Sequence, residues 1–210
     1  MAIEKKGMMF ILSSPSGAGK TTLTKKIVKN NKNFEISISF TTRKPRPNEI
    51  NGKDYHFVEK DDFNNLVKEN NFFEHASIFD NYYGTHKKTV LELISKGKDV
   101  LFDIDWQGTQ QLKKVKNLSL VTIFILPPNI KILRERLLNR HKNQEKVIQK
   151  RMDKFNEEVS HWHEYNYVVV NDDLYKCYKK ILNIIMSEKK GIKEKQNLNQ
   201  IKKLIKELTK

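Results

Sequence analysis

Cysteine is almost absent: Cys177 is the only one in 210 residues. An internal disulfide is excluded, no thiolate cluster can hold a metal, and a reducing cytoplasmic location is expected. Long apolar runs are also missing. The longest, Met8–Leu12 and Ile123–Leu126, fall far short of the roughly 20 residues that span a bilayer, so no membrane role is expected. The opening MAIEKKG has no apolar h-region, and no secretory signal is expected there. Arginine is scarce too: 40 residues are basic, yet only six are Arg. What is present is 38% hydrophobic and 10% aromatic residues, enough for a sizeable core and against global disorder.

The formal net charge is +15. Most of it is lysine scattered among many Asn and Ile residues, which reads as a compositional bias rather than a nucleic-acid footprint. The arginines are different. Arg43 and Arg46 form one short cluster; Arg134, Arg136, Arg140 and Arg151 form another. Where Lys is the default cation, a residue that stays Arg signals a need for its planar, bidentate fork. Two anion-binding places follow. Residues 187–210 stand apart, with eight Lys against three Glu and apolar Leu198, Ile201, Ile205 and Leu208 at helical spacing. They predict a basic amphipathic helix packed weakly on the core, with a membrane-surface or partner role as the alternative.

MMFILSS predicts a buried parallel strand leading through a Gly-rich loop into a helix that runs to about Asn31. Region 34–88 changes character, with short alternating segments (Ile36–Phe40, Tyr55–Val58), the turn stretch PRPNEINGK and aromatic pieces. It predicts a small, partly antiparallel lobe inserted at 34–85. A helix at about 61–70 is expected to start on Asp61 or Asp62. From about 86 strand and helix alternate: a helix ending at Gly97, strand Val100–Ile104, a helix near 107–116, strand Leu120–Leu126, helix Ile130–Leu138, a long helix at about 145–162, strand Tyr167–Val170, and a last helix capped by Asp172 or Asp173. That alternation predicts an α/β fold, a parallel sheet covered on both faces, built from 1–33 and 86–186.

The strongest chemical signal is Ser14-Pro15-Ser16-Gly17-Ala18-Gly19-Lys20-Thr21-Thr22. It matches the phosphate-binding pattern G-x-x-x-x-G-K-[ST] except at its first position, where Ser14 replaces Gly. Gly17 and Gly19 let backbone N–H groups turn inward around phosphate oxygens, and the following helix adds its positive end. Lys20 supplies a charge for the β- and γ-phosphates, and Thr21 can ligand Mg²⁺. Asp103, at the end of a buried strand, is a second candidate on the metal side; the alternative for Asp103 or Asp105 is a helix cap. Arg43 and Arg46, beside hydroxyls and stiffened by Pro45 and Pro47, make an anion clamp. Tyr55 and Tyr83 can donate to a phosphate. Glu74 in FFEHASIF reads, from pattern alone, as a surface carboxylate. Arg134, Arg136, Arg140 and Arg151 flank the polar HKNQEK, expected to be a mobile flap, and such arginines neutralise a transferring phosphoryl group.

SSPSGAGKTTL, SFTTRKPRPNEINGKDYHFV, NYYGT, DVLFDIDWQG, RERLLNR and VVVNDDL resemble the blocks of guanylate kinase, in order and over about residues 7–186. The resemblance implies a P-loop three-layer core, a GMP-binding lobe at 34–85 and a helical lid at about 134–151. It implies Mg-dependent transfer of the ATP γ-phosphoryl group to GMP, and to dGMP, within a monomer or homodimer. By the same resemblance Ser39, Arg43, Arg46, Tyr55 and Tyr83 hold the GMP phosphate, and Glu74 and Thr85 read guanine, which reverses the surface reading of Glu74. Asp105 falls where the family has a further acid, and Arg136, Arg140 and Arg151 match arginines around the phosphates; Arg134 does not. The tail has no counterpart in the resemblance.

Overall fold

The structure, a computed structural model, describes residues 7–116, 118–140 and 144–210. The segment read for a secretory signal and the first half of the expected flap, residues 141–143, lie outside the described residues. The first half of the chain runs β1 (Met9–Ser13), α1 (Lys20–Asn30), β2 (Phe34–Ile36), β3 (Phe40–Thr41), β4 (His56–Phe57), α2 (Lys60–Lys68), β5 (Phe72–Ile78), β6 (Asn81–His86) and α3 (Lys87–Ser95). There follow β7 (Asp99–Asp103), α4 (Trp106–Lys113), β8 (Leu120–Leu126), α5 (Ile130–Arg140), α6 (Glu145–Asp153), α7 (Phe155–Ser160), β9 (Tyr167–Val170), α8 (Leu174–Lys189) and α9 (Leu198–Leu208).

Five strands form one parallel sheet in the order β2-β7-β1-β8-β9. β1 is apolar and buried along MFIL because helices cover both of its faces. Its residues alternate accordingly. Phe10 and Leu12 join Leu23 and Ile27 of α1 and Ile181 and Ile185 of α8, whereas Met9 and Ile11 join Val90 of α3 and Leu112 of α4. The result is the expected three-layer α/β core. At the far end, Phe124 and Leu126 of β8 meet Leu133 and Leu137 of α5, Ile148 of α6 and Phe155 of α7. Burying each such leucine contributes roughly 1.5–3 kcal/mol. That holds α5, with its arginines, against the sheet.

All five strands end on the same side, so the loop after β1, Asp103 of β7 and the residues after β9 converge there, where open parallel sheets take their ligands. A second sheet, β4-β3-β6-β5, forms the inserted lobe, with β5 and β6 antiparallel and a register shift between Phe72 and Glu74.

Three sequence expectations need correction. The lobe does not begin at 34: β2 pairs with β7 in the main sheet, Phe34 opposite Asp99, and Phe34 is buried beside Phe10. The expected strand Ile36–Phe40 is therefore split between two sheets. α2 starts from Glu59, and Asp61 and Asp62 lie inside its first turn, where their charge still favours the helix N-terminus. The long helix at 145–162 is broken at Lys154 into α6 and α7, then tightens into a 3-10 turn at His161–Glu164, which lets Ile148, Phe155 and Val159 all reach one cluster. Of the two caps expected for the last helix of the core, Asp173 caps α8, accepting from the Lys176 N–H at 2.8 Å, as the sequence allowed.

The tail is docked more firmly than expected. Ile201 and Leu208 of α9 are buried in the cluster of Leu133 and Leu137. Ahead of α9, the Gln196 side chain accepts from Val168 N–H at 2.7 Å and donates to the Asn166 carbonyl at 2.8 Å, capping the edge of β9.

Candidate active site

The loop after β1 takes its shape from two glycines in the left-handed region. Gly17 has φ 91°, and a Cβ there would press on Leu133 and Leu137 of α5 at 3.0–3.1 Å. Gly19 has φ 100° and starts α1; a Cβ there would lie 2.3 Å from the Asn171 amide nitrogen. No other residue fits either place. The loop borders one cavity of about 710 Å³, which also takes in the lobe and α5–α7.

Of the expected phosphate-loop residues, Ser14, Pro15, Ser16, Gly17, Gly19, Lys20, Thr21 and Thr22 line this cavity. Ala18 does not: it is buried, its N–H donates to the Pro15 carbonyl at 3.2 Å, and its own carbonyl accepts from Asn171 at 2.7 Å. Lys20 Nζ is held 3.0 Å from Asp103 and 2.7 Å from the Ile104 carbonyl. Arg136 lines the same cavity and donates to the Asn171 carbonyl at 3.0 Å. Arg151 Nη1 donates to Ser16 Oγ at 2.5 Å. Arg140 faces the cavity; Arg134 instead pairs with Glu145 at an exposed site away from it.

Ser39, Arg43, Arg46, Tyr55, Glu74 and Tyr83 line the same cavity from the lobe side, and Asp105 lines it from the turn between β7 and α4. The Arg43 guanidinium grips Glu49 with two bonds, 2.9 and 3.0 Å, and Arg46 N–H donates to the same carboxylate at 2.7 Å. Burial works to lower Arg43, yet the bond to Glu49 and the nearby Tyr83 leave it raised. Burial, then Arg140 and Arg43, lower Arg46. Burial, then Arg140 and Arg46, lower Arg151 to about 10. Cationic groups that depress one another across a cavity mark a place built for an anion.

Glu74 is 3% exposed, between Phe72 and Ala76 on the buried face of β5. Burial pushes its carboxyl up to about 7, against a bond from Thr85; nearby Asp105 adds to the rise. Gly108 permits this: a Cβ there would lie 2.5 Å from Glu74 Oε2. Thr85 sits opposite Glu74 on β6 and is buried; its hydroxyl accepts from Ser37 Oγ at 3.4 Å, and it is not among the residues that line the cavity. Asp105 both lines the cavity and caps α4, accepting from Gly108 N–H at 3.0 Å. Among the described residues no group of three or more His, Cys, Asp or Glu side chains is placed to hold a metal.

A family model described as guanylate kinase matches residues 6–188. The chain belongs to the guanylate kinase family. It is thus a nucleoside monophosphate kinase, an ATP:GMP phosphotransferase. It is 51% identical to a guanylate kinase of Rickettsia felis over 189 residues, covering 90% of this chain and 98% of that one. It is 46% identical to a guanylate kinase of Paramagnetospirillum magneticum over 187 residues, 89% and 87% of the two chains. A crystal structure of guanylate kinase from Anaplasma phagocytophilum superimposes with a TM-score of 0.72 at 34% identity, covering 88% of this chain and 87% of that one.

Three polar groups in or beside the kinase's cavity were not singled out in the sequence: Glu158 and Asn171 line it, and Glu49 stands behind its lobe arginines. Glu158, on α7, accepts from Ser16 N–H at 3.0 Å, and burial raises it to about 7. Asn171 locks Ala18 behind the loop. Glu49 orients both lobe arginines, and its place three residues after Arg46 is the one local signal of the three. Replacing Glu49 with Gln removes the charge that splays Arg43 and Arg46 toward the cavity. The KM for GMP should rise about 10- to 100-fold, the range lost when an orienting partner is removed, while the KM for ATP stays within about two-fold. Steady-state kinetics with each substrate varied in turn checks this.

Proposed function

We propose that the kinase transfers the γ-phosphoryl group of ATP directly, in line, to a phosphate oxygen of GMP. The bond from the γ-phosphorus to the ADP oxygen breaks as the bond to the GMP oxygen forms, giving ADP and GDP. One observation carries this reading: the phosphate loop and the Arg43, Arg46 and Glu74 wall face each other across a single 710 Å³ cavity. All of these groups come from one chain, so the chemistry asks for no partner subunit.

Each residue then has a physical task. The loop N–H groups and Lys20 hold the donor phosphates, with Asp103 aiming the Lys20 ammonium. Arg136, Arg140 and Arg151, which all line the cavity, neutralise charge spread over the transferring oxygens. Ser39, Arg43, Arg46, Tyr55 and Tyr83 fix the acceptor phosphate. No general base is needed, because that phosphate is already an anion. Closure of the helical lid over the cavity excludes water, which would otherwise compete as acceptor.

Glu74 selects the base. Its carboxylate accepts from guanine N1–H and N2–H₂, and adenine offers no donor at N1. Thr85, opposite Glu74 on β6, donates to guanine O6, and Asp105 supports Glu74 by capping α4 at Gly108, which packs on Glu74. The same contacts serve GMP and dGMP. The oxygen donors available suit Mg²⁺ carried by nucleotide phosphates: the Thr21 hydroxyl and the Asp103 carboxylate would hold it, in keeping with a cation that prefers one or two carboxylates plus phosphate. Bound there, Mg²⁺ supplies charge neutralisation at the phosphates.

Coupled measurement of ADP formation tests the reading with GMP, dGMP, AMP, UMP and dTMP as acceptors. GMP and dGMP should turn over, and AMP should be poorer by about 10³-fold or more in kcat/KM. AMP serving as well as GMP would overturn the guanine assignment.

A further inference from the structure

The turn joining β5 to β6 is built against its sequence. Ile78 pairs with Asn81, leaving Phe79 and Asp80 as a two-residue loop, and both adopt positive φ, 48° and 63°. Turns of this kind favour Asn-Gly, because a side chain in the left-handed region clashes with its own backbone. A phenylalanine is an unsuitable residue for the first place. A strained residue that persists points to a task for its side chain.

The ring has an address. Phe79 lines the mouth of the main cavity, with the Arg151 guanidinium carbon 4.7 Å and Lys154 Nζ 4.8 Å from its centroid. Phe79 belongs to the lobe; Arg151 lies in the last turn of α6 and Lys154 follows that helix. The ring therefore bridges the two halves that close on the substrates. Arg151 needs such support. Its environment is desolvated and flanked by Arg140 and Arg46, with Glu158 the nearby carboxylate that acts against them; among the described residues its Nε has no hydrogen-bond partner and Nη1 is held by the Ser16 hydroxyl. An aromatic face attracts a cation without adding a further carboxylate. A second carboxylate beside Glu158 would neutralise the guanidinium and repel the phosphoryl group it must meet.

We propose that Phe79 is a positioning residue for phosphoryl transfer, seating Arg151 when the lobe meets the lid. This rests on the function proposed above and deepens it: delivery of a lid arginine is tied to the lobe that carries the acceptor. Charge stabilisation is then complete only when the acceptor lobe is in place.

The test is steady-state kinetics and thermal unfolding of the full-length wild type, Phe79→Leu, Phe79→Tyr and Phe79→Gly. Phe79→Leu keeps apolar bulk but loses the ring face; kcat should fall about ten-fold, with both KM values within about three-fold. Phe79→Tyr should restore kcat. Phe79→Gly should unfold at the same or a higher temperature, since glycine relieves the left-handed backbone, while its kcat falls as far as that of Phe79→Leu. A stable variant with poor turnover separates positioning from mere packing. In an Arg151→Met background, Phe79→Leu should cost little more, because the two act as a unit. Full kcat in Phe79→Leu, or an undiminished loss in the Arg151→Met background, overturns the proposal. Absence of GMP turnover in the wild type would instead overturn the function on which it rests.

Discussion

Replacing Glu74 with glutamine should raise the KM for GMP by about 10²–10³-fold and leave the KM for ATP nearly unchanged. Glutamine keeps the shape, so Gly108 and Phe72 still pack. It removes the negative charge and turns one acceptor into a donor facing guanine N–H groups. Hydrogen bonds to charged groups contribute about 1.5–3 kcal/mol each, and two are weakened, which gives the range. The fold should not suffer: burial already disfavours the carboxylate, holding it at about 7, and a neutral amide carries no such cost.

The same carboxyl gives a pH dependence with a defined sign. Burial raises Glu74 from 4.5 to about 7, so the free enzyme holds a proton there in mild acid. Protonated Glu74 cannot accept from both guanine donors. The KM for GMP should therefore climb as pH falls below about 7, and Glu74→Gln should flatten that profile. For stability the folded state keeps the proton that the unfolded chain releases. Stability from this group is full below 4.5 and is lost as pH rises through about 7. Glu158 titrates in the same window but faces Ser16. Its effect belongs to the ATP side, and comparison with Glu74→Gln separates the two.

The other large effect is at Lys20. Lys20→Met should lower kcat by about 10³–10⁵-fold, the range for removing a cation from a phosphoryl-transfer site. The charge on the phosphates is gone, and so is the ammonium that Asp103 holds at 3.0 Å in the wild type. Near-normal kcat in Lys20→Met would remove Lys20 from the mechanism.

The phosphate loop was legible in the sequence because its chemistry is local: two glycines, a lysine and a hydroxyl between a strand and a helix. The parallel core was legible for a similar reason, since helix and strand periods alternate along the chain. Glu74 was not. Alternation in FFEHASIF cannot tell which face of β5 is buried, and only the family resemblance turned the carboxylate inward. Glu158 lies 142 residues from Ser16, and no local pattern announces such a contact. Phe79 was hidden because Phe-Asp is not a turn signature. The tail helix followed from the spacing of Leu198, Ile201, Ile205 and Leu208, but the cluster beneath α5 that receives it came only from the folded chain.

Direct passage of the phosphoryl group between two nucleotides in one cavity is tested most plainly by its stereochemistry. With ATP made chiral at the γ-phosphorus and GMP as acceptor, a single in-line displacement predicts inversion at the phosphorus of the GDP product. Retention would mean two displacements through a phosphorylated enzyme, and would contradict the account.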